Sequence, residues 1–234
     1  MKAHFQIASG THSSAQSCAL AVDVHTLVVA GWAGRDMAAI EHHIDELAEL
    51  GVPRPSSVPL FYRISHNQLT QDERVQVVGP HSSGEIEALV FAAEGSLYVG
   101  IASDHTDRKL EAYSVALSKQ VCPKPAGTGA WAYEEVEGHW DELVVRAWID
   151  EGGARVLYQE GSLSSLRTPR DLIDGYLAAS GKTTFADGTA MTCGTVAAIG
   201  GIRASSVFEM ELYDPRLSRS LRHRYVLDIL PDVA

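Results

Sequence analysis

The segment from residue 85 to residue 104 constrains the fold of this chain more than any other part of the sequence. Residues 85–93 and 96–103 are two runs of strand-forming residues, and the pair Glu94-Gly95 separates them. A glycine-containing pair between two such runs is typical of a β-hairpin with a two-residue turn. The sequence therefore predicts two antiparallel strands here.

The predicted hairpin brings three acidic residues to one place. Counting back from the turn along both arms sets Glu87 opposite Ala102 and Glu85 opposite Asp104. Side chains of directly opposed residues share a face, with Cβ atoms roughly 4.5–5.5 Å apart, and alternate residues of one strand share a face as well. Oxygen ligands of this kind suit Mg²⁺, Mn²⁺ or Ca²⁺ and not zinc. Glu85, Glu87 and Asp104 are therefore candidate ligands of a divalent cation.

A second interpretation of these acids stays open. The face that carries Glu85 and Glu87 continues with apolar residues, and burying unpaired charge on such a face is costly unless a cation sits between the acids. A register shift of one residue would move Asp104 to the other face. Under the second interpretation, the two glutamates are solvated strand residues and Asp104 caps the helix that follows.

The remainder of the chain predicts more strands and a few helices. Alternating or continuous apolar runs indicate strands, and apolar residues at helical spacing indicate helices. The predicted strands are 3–8, 18–32, 143–149 and 154–158, with more within 188–230, and the predicted helices are 35–50, 107–118 and 169–179. No repeat or linker is evident, so residues 1–234 are interpreted as one strand-rich α+β domain, with 1–33 as a small N-terminal β segment packed on it.

The composition of the chain indicates which kinds of binding partner and which cellular compartment are expected. Thirty acidic residues against nineteen lysines and arginines give a formal net charge of −11, which argues against binding to nucleic acid. The early apolar stretch, residues 19–32, is interrupted by Asp23 and His25, so neither a signal peptide nor a membrane span is expected. Three widely spaced cysteines form no zinc motif and favour a reducing compartment. The prediction is a cytoplasmic protein that binds no membrane.

Several short motifs resemble, in the same order, those of the fumarylacetoacetate hydrolase superfamily. They are Gly34-Arg35 with His43-Ile44-Asp45-Glu46, Pro59-Leu60-Phe61, Glu85-Ile86-Glu87, residues 103–108 with Ser118-Lys119, Gln159-Glu160-Gly161, and Cys193-Gly194-Thr195 through Gly200. Together they span roughly residues 27–230, and the chain is most similar to a divergent branch, domain of unknown function 2848. The resemblance implies a mixed β-sandwich roll with short flanking helices, and a homodimer.

The resemblance also implies roles for the residues around the cation. Mg²⁺, with Mn²⁺ or Ca²⁺ as alternatives, is expected on Glu85, Glu87 and Asp104, where it would chelate a 2-oxo acid and stabilise an enolate. Lys119 is expected to stabilise developing negative charge, with a surface lysine as the alternative. Arg108 is expected to grip the substrate carboxylate, with a structural ion pair as the alternative.

Two further groups complete the implied site. His43 and Glu46 lie three residues apart on one helix face, and the resemblance implies a catalytic dyad in which Glu46 orients His43 for proton transfer. A solvated pair, or the equally spaced His42 and Asp45, are the alternatives. The implied hydrogen-bonding residues of the substrate pocket are Gln159, Gly194 and Thr195.

The function implied is that of a Mg²⁺-dependent hydrolase or lyase. It would cleave the C–C bond beside a small anionic 2-oxo acid, of the acylpyruvate or β-diketo acid type, through a metal-stabilised enolate. An oxaloacetate-type decarboxylase or a keto–enol isomerase would use the same site without an attacking water. A different class, a non-catalytic small-molecule-binding protein that retains the fold, is the third hypothesis.

Overall fold

The computed structural model describes residues 1–10, 16–49 and 54–233, and two β-sheets dominate it. In spatial order the eight-stranded sheet contains β2 (Gln16–Asp23), β1 (Lys2–Ser9), β12 (Gly129–Ala132), β9 (Ser96–Ser103), β8 (Ile86–Ala93), β15 (Thr189–Thr192), β3 (Thr26–Gly31) and β4 (Leu60–Ile64). The five-stranded sheet contains β14 (Ala154–Ser162), β13 (Val144–Glu151), β16 (Val207–Asp214), β17 (Arg219–Leu230) and β6 (Arg74–Val78). Predominantly antiparallel pairing, with a few parallel pairs, makes this a mixed strand-rich fold.

Short elements flank the two sheets. Two-residue ladders join β7 (Ser82–Ser83) to β10 (Thr106–Asp107) and β5 (Leu69–Thr70) to β11 (Lys124–Pro125). The α-helices of the described residues are α1 (Met37–Glu49), α2 (Arg108–Glu111), α3 (Val115–Val121), α4 (Tyr133–Glu137) and α5 (Pro169–Ser180). None of these helices is both long and apolar enough to cross a membrane.

The core lies on both faces of the eight-stranded sheet. One cluster fills the space between the sheets and includes Val90 of β8 and Met210 of β16. The other is built mainly from strands of the eight-stranded sheet itself, and in it the rings of Phe5 and Phe91 stack with centroids 4.2 Å apart. Their strands, β1 and β8, are three strand spacings apart, or about 14 Å in a flat sheet. The sheet therefore curls around this second cluster, as expected for a roll.

The central hairpin has the predicted register. Ala93 pairs with Ser96 and Glu87 pairs with Ala102. Glu94 and Gly95 form the turn with positive φ angles of 52° and 73°, as a type I′ turn requires. All eight residues of β8 are buried, because sheet neighbours flank the strand and both faces are covered. The strand-rich α+β class is confirmed.

Two of the predicted elements need correction. The single helix predicted at 107–118 is two short helices, because Ser114 is extended and its side chain caps α3 by accepting from the Leu117 N–H. Tyr113, between the two helices, and Leu117 of α3 are 79% and 48% exposed. The strand predicted at 18–32 is likewise two strands, β2 and β3, which Val24 and His25 separate and which do not pair with each other.

Candidate active site

Three carboxylates converge at the open end of the hairpin. The Asp104 N–H donates to the Glu85 carbonyl over 2.9 Å, so the ladder continues one residue beyond β8 and β9. One ligand oxygen from each of Glu85, Glu87 and Asp104 can be chosen so that all three lie within 4.8 Å of one another. Glu87 and Asp104 are buried and Glu85 is partly exposed. The alternative of solvated strand acids does not fit this burial.

Each carboxylate is held by a donor from the protein. The Gly194 N–H donates to Glu87 Oε2 over 2.7 Å, the Arg108 guanidinium lies 2.9 Å from Glu85 Oε1, and Lys119 Nζ donates to Asp104 Oδ2. These contacts fix the orientation of the three acids. Asp104 Oδ1 is buried without a hydrogen-bond partner among the described residues.

The electrostatics of the cluster fit a bound cation. Burial, followed by repulsion from Asp104 and Glu85, holds the pKa of Glu87 well above its ordinary value. Burial also raises the pKa of Glu85, although Arg108 and Lys119 oppose the shift. A divalent ion with oxygen ligands would relieve this crowding, and Asp104 Oδ1 accepts no hydrogen bond from the described residues, so the residues present fit Mg²⁺ or Mn²⁺.

Two buried lysines keep Asp104 ionised. Burial favours the neutral acid, but Lys119 and Lys124 outweigh it and lower the pKa of Asp104. The Lys124 ammonium lies 3.4 Å from Asp104 Oδ1 and donates to three backbone carbonyls, of His105, Lys119 and Cys122, over 2.5, 2.6 and 3.2 Å. Its side chain is completely buried. Lys124 is not among the residues predicted from the sequence, although a lysine between two prolines, in Pro123-Lys124-Pro125, is a signal of a constrained position.

Arg108 is engaged within the protein. Its guanidinium contacts Glu85 and also Glu111, 2.8 Å away, and its Nε donates to Ser83 Oγ over 2.7 Å. Burial opposes the charge, but these two glutamates outweigh it and raise the pKa of Arg108. Arg108 therefore forms the structural ion pair that was the alternative to its role in binding the substrate carboxylate.

The loop after β15 is attached to the start of β8. Thr195 Oγ1 donates to the Ile86 carbonyl over 2.6 Å, and the Ile86 N–H donates to Gln159 Oε1 over 3.1 Å. The Gln159 amide group also donates to Thr195 Oγ1 and to the Val196 carbonyl. Gln159 is 1% exposed, so its hydrogen-bonding groups hold the loop that presents Gly194 and Thr195.

A cavity of about 510 Å³ opens beside the three acids. Its charged end is formed by Glu85, Glu87, Asp104, Arg108, Glu111 and Lys119. Its other walls include Ala33, Trp32, Tyr62, Val115 and Leu166. Trp32 has a φ of 56°, an uncommon conformation for a residue other than glycine. Lys119 Nζ lies 5.7 Å from the centroid of the Tyr62 ring, so the aromatic wall begins next to the charged end.

The predicted dyad lies outside the described side chains, and two further titratable residues, His105 and Cys122, are buried away from the cavity lining. The backbone of α1 is described, but the side chains of His43 and Glu46, the predicted dyad, are not among the described side chains. His105 is buried against Tyr225, whose hydroxyl lies 2.9 Å from His105 Nδ1, and burial lowers the pKa of His105 to about 3. Cys122 is buried, and burial raises its pKa to about 11, as expected for a structural thiol.

The fold is shared with solved structures of low sequence identity. The chain is similar to Cg1458, with a TM-score of 0.60, 15% identity, and 97% of this chain and 89% of that chain covered. It is also similar to a 2-keto-3-deoxyarabinonate dehydratase, with a TM-score of 0.63, 16% identity, and coverage of 89% and 75%. A third structure, the 2-keto-3-deoxy-D-arabinonate dehydratase complexed with magnesium and 2,5-dioxopentanoate, has a TM-score of 0.62, 16% identity, and coverage of 90% and 75%.

The structural comparisons identify the fold of this chain, and a family model identifies its family. The solved structures share the strand-rich fold, so the fold predicted from the motifs is confirmed. The resemblance to domain of unknown function 2848 is confirmed by a family model. The family model described as protein of unknown function DUF2848 matches residues 30–225, and the chain belongs to that family. No curated protein matches the sequence.

Proposed function

We propose that this protein is a divalent-metal-dependent hydrolase or lyase that acts on a small 2-oxo acid through an enolate. The observation that carries the proposal is the buried group Glu85, Glu87 and Asp104, whose oxygens converge beside a cavity. A structural neighbour complexed with magnesium and 2,5-dioxopentanoate supports the same class of ligand. Mg²⁺, held by these three carboxylates, would act as a Lewis acid toward the oxygens of the 2-oxo acid.

The chain's own residues have separable tasks in this proposal. Lys119, which lies beside Asp104 at the charged end of the cavity, stabilises negative charge that develops on the substrate. Gln159 and Thr195 hold the loop through which the Gly194 N–H orients Glu87. Arg108 holds Glu85 in place and lines the cavity, from which it can contact the substrate carboxylate.

The finer proposal is hydrolysis of a C–C bond beside the 2-oxo acid. His43, oriented by Glu46, would remove a proton from a water that attacks the acyl carbonyl carbon. Cleavage of the C–C bond would release the acyl group as a carboxylic acid, and the enolate left would take up the proton to give a 2-oxo acid such as pyruvate. Elimination of water, as in a dehydratase, is the second candidate, since structural neighbours are dehydratases. It needs the same enolate but no attacking water.

The test is an assay of purified protein with Mg²⁺ or Mn²⁺. The substrates are an acylpyruvate, oxaloacetate and a 2-oxo-3-deoxy sugar acid, with the product identified by mass spectrometry. We expect turnover of an acylpyruvate that Glu87→Gln abolishes and that His43→Ala reduces strongly. Tight Mg²⁺ binding without turnover of any of the three acids would instead support the non-catalytic binding protein.

A further inference from the structure

We propose that the substrate carries a single carboxylate and an uncharged, apolar group at its far end. This inference rests on the proposed function, since it concerns the part of a 2-oxo acid that lies away from the carboxylate triad. Three observations carry it: the pairing of the cavity's cations, the chemistry of its walls, and its size.

The cations at the charged end already have anionic partners. Arg108 lies between Glu85 and Glu111, and Lys119 binds Asp104. Among the described residues that line the cavity, no arginine or lysine is left to pair with a second substrate carboxylate. A distal carboxylate among the remaining walls would lose hydration without gaining a cationic partner.

The walls beyond the charged end are suited to an apolar group. Trp32 and Tyr62 form an aromatic surface, and a hydrogen bond between their side chains ties the two residues together. Val115 and Leu166 add aliphatic surface to the same cavity. The positive φ of Trp32 is an uncommon backbone conformation, and such conformations are concentrated at functional sites.

The size of the cavity favours a substrate larger than a four-carbon dicarboxylic acid. Its volume of about 510 Å³ falls within the range of about 300–1,000 Å³ for ordinary ligand pockets. An acylpyruvate with a branched or aromatic acyl group would cover the aromatic surface, whereas oxaloacetate would leave most of it in contact with water.

The test compares two ligands of the same shape. 2-Oxoglutarate and 5-methyl-2-oxohexanoate differ in that an isopropyl group replaces the distal carboxylate. Their dissociation constants are measured by calorimetry on the full chain with Mg²⁺ in excess. We expect the apolar ligand to bind at least tenfold more tightly. Equal affinity, or tighter binding of 2-oxoglutarate, would overturn the inference and leave the proposed function standing.

Two variants test the assigned wall. Trp32→Gly removes the indole while keeping a residue that adopts positive φ without strain. It should weaken binding of 5-methyl-2-oxohexanoate about tenfold or more and leave pyruvate binding within twofold. Val115→Ala removes two methyl groups and should weaken the apolar ligand by up to about fifteenfold, at about 0.8 kcal/mol for each buried carbon. Equal losses of affinity for pyruvate and the apolar ligand in both variants would refute the assignment of Trp32 and Val115 to the apolar wall. If the wild type bound none of these acids in the presence of Mg²⁺, the proposed function itself would be refuted.

Discussion

Replacing Lys124 with methionine should destabilise the protein strongly, although this residue lies behind the cavity. Methionine is similar in length and apolar, so the substitution removes the charge and the three donors with little change in volume. The lysine is fully buried and its ammonium donates to three backbone carbonyls. An ammonium has three N–H donors, so these carbonyls use all of them, while Asp104 Oδ1 at 3.4 Å adds an ion pair.

The magnitude follows from what the substitution leaves behind. Three buried carbonyls lose their donor, at about 1–3 kcal/mol for each group that stays unsatisfied. Asp104 keeps Lys119 as a partner but loses one of its two cations. Loss of the buried charge offsets part of this cost, because Lys124 itself is strongly desolvated. The net expectation is about 3–5 kcal/mol, the usual cost of removing one partner of a buried ion pair.

Thermal unfolding and urea unfolding both measure this loss. For a chain of this size about 1 kcal/mol corresponds to roughly 2–4 °C in Tm, so a decrease of about 6–20 °C is expected. Lys109→Met is the matched control, because Lys109 is exposed on α2 close to the same site. It should change stability by less than about 0.5 kcal/mol. If Lys124→Met also costs less than about 1 kcal/mol, the assignment of the three carbonyls and Asp104 to this ammonium is wrong.

The remaining predictions concern the acids and the loop that holds them. Because the folded pKa of Glu87 is raised above 4.5, its contribution stabilises the metal-free fold at low pH and is lost as pH rises through that raised pKa. Differential scanning fluorimetry should therefore show that the Tm of Glu87→Gln increases relative to the Tm of the wild type as pH rises. The increase in the wild-type Tm on addition of Mg²⁺ should grow over the same pH range. A Tm difference between the two proteins that does not change with pH would contradict this. Gly194→Ala should weaken Mg²⁺ binding at least tenfold, measured by calorimetry, because Gly194 has a φ of 88° and an added Cβ would lie 2.7 Å from Ala33 Cβ. Gly138→Ala, which meets nothing within 4 Å, is the control and should bind Mg²⁺ normally.

The hairpin could be predicted from the sequence because its determinants are local. Two adjacent runs of strand-forming residues and a turn pair that adopts positive φ define the register, and the register alone places Glu85 opposite Asp104. Family motifs then pointed to Lys119 and Arg108, both of which line the cavity.

The parts that the sequence did not predict depend on long-range contacts or on competing local signals. Lys124 is at the site because β11 pairs with β5, a segment more than fifty residues earlier in the chain. Trp32 and Tyr62 meet because β3 pairs with β4 across the whole of α1. The break between α2 and α3 does have a local cause, the Ser114 cap, but apolar spacing across it suggested one continuous helix.

The position of the carboxylates within one hairpin has a consequence for folding. The triad belongs to a single segment, residues 85–104, whose strands meet after a two-residue turn. Local pairing of this kind forms early, whereas the parallel pairs β3–β15 and β1–β12 must bring distant segments together.

Repulsion among the acids opposes the closing of the hairpin's open end until a cation is present. Stopped-flow refolding should therefore accelerate with Mg²⁺; if only the unfolding rate changes, the triad forms after the rate-limiting step. With acceleration, the same ion would take part in the folding nucleus as well as in catalysis.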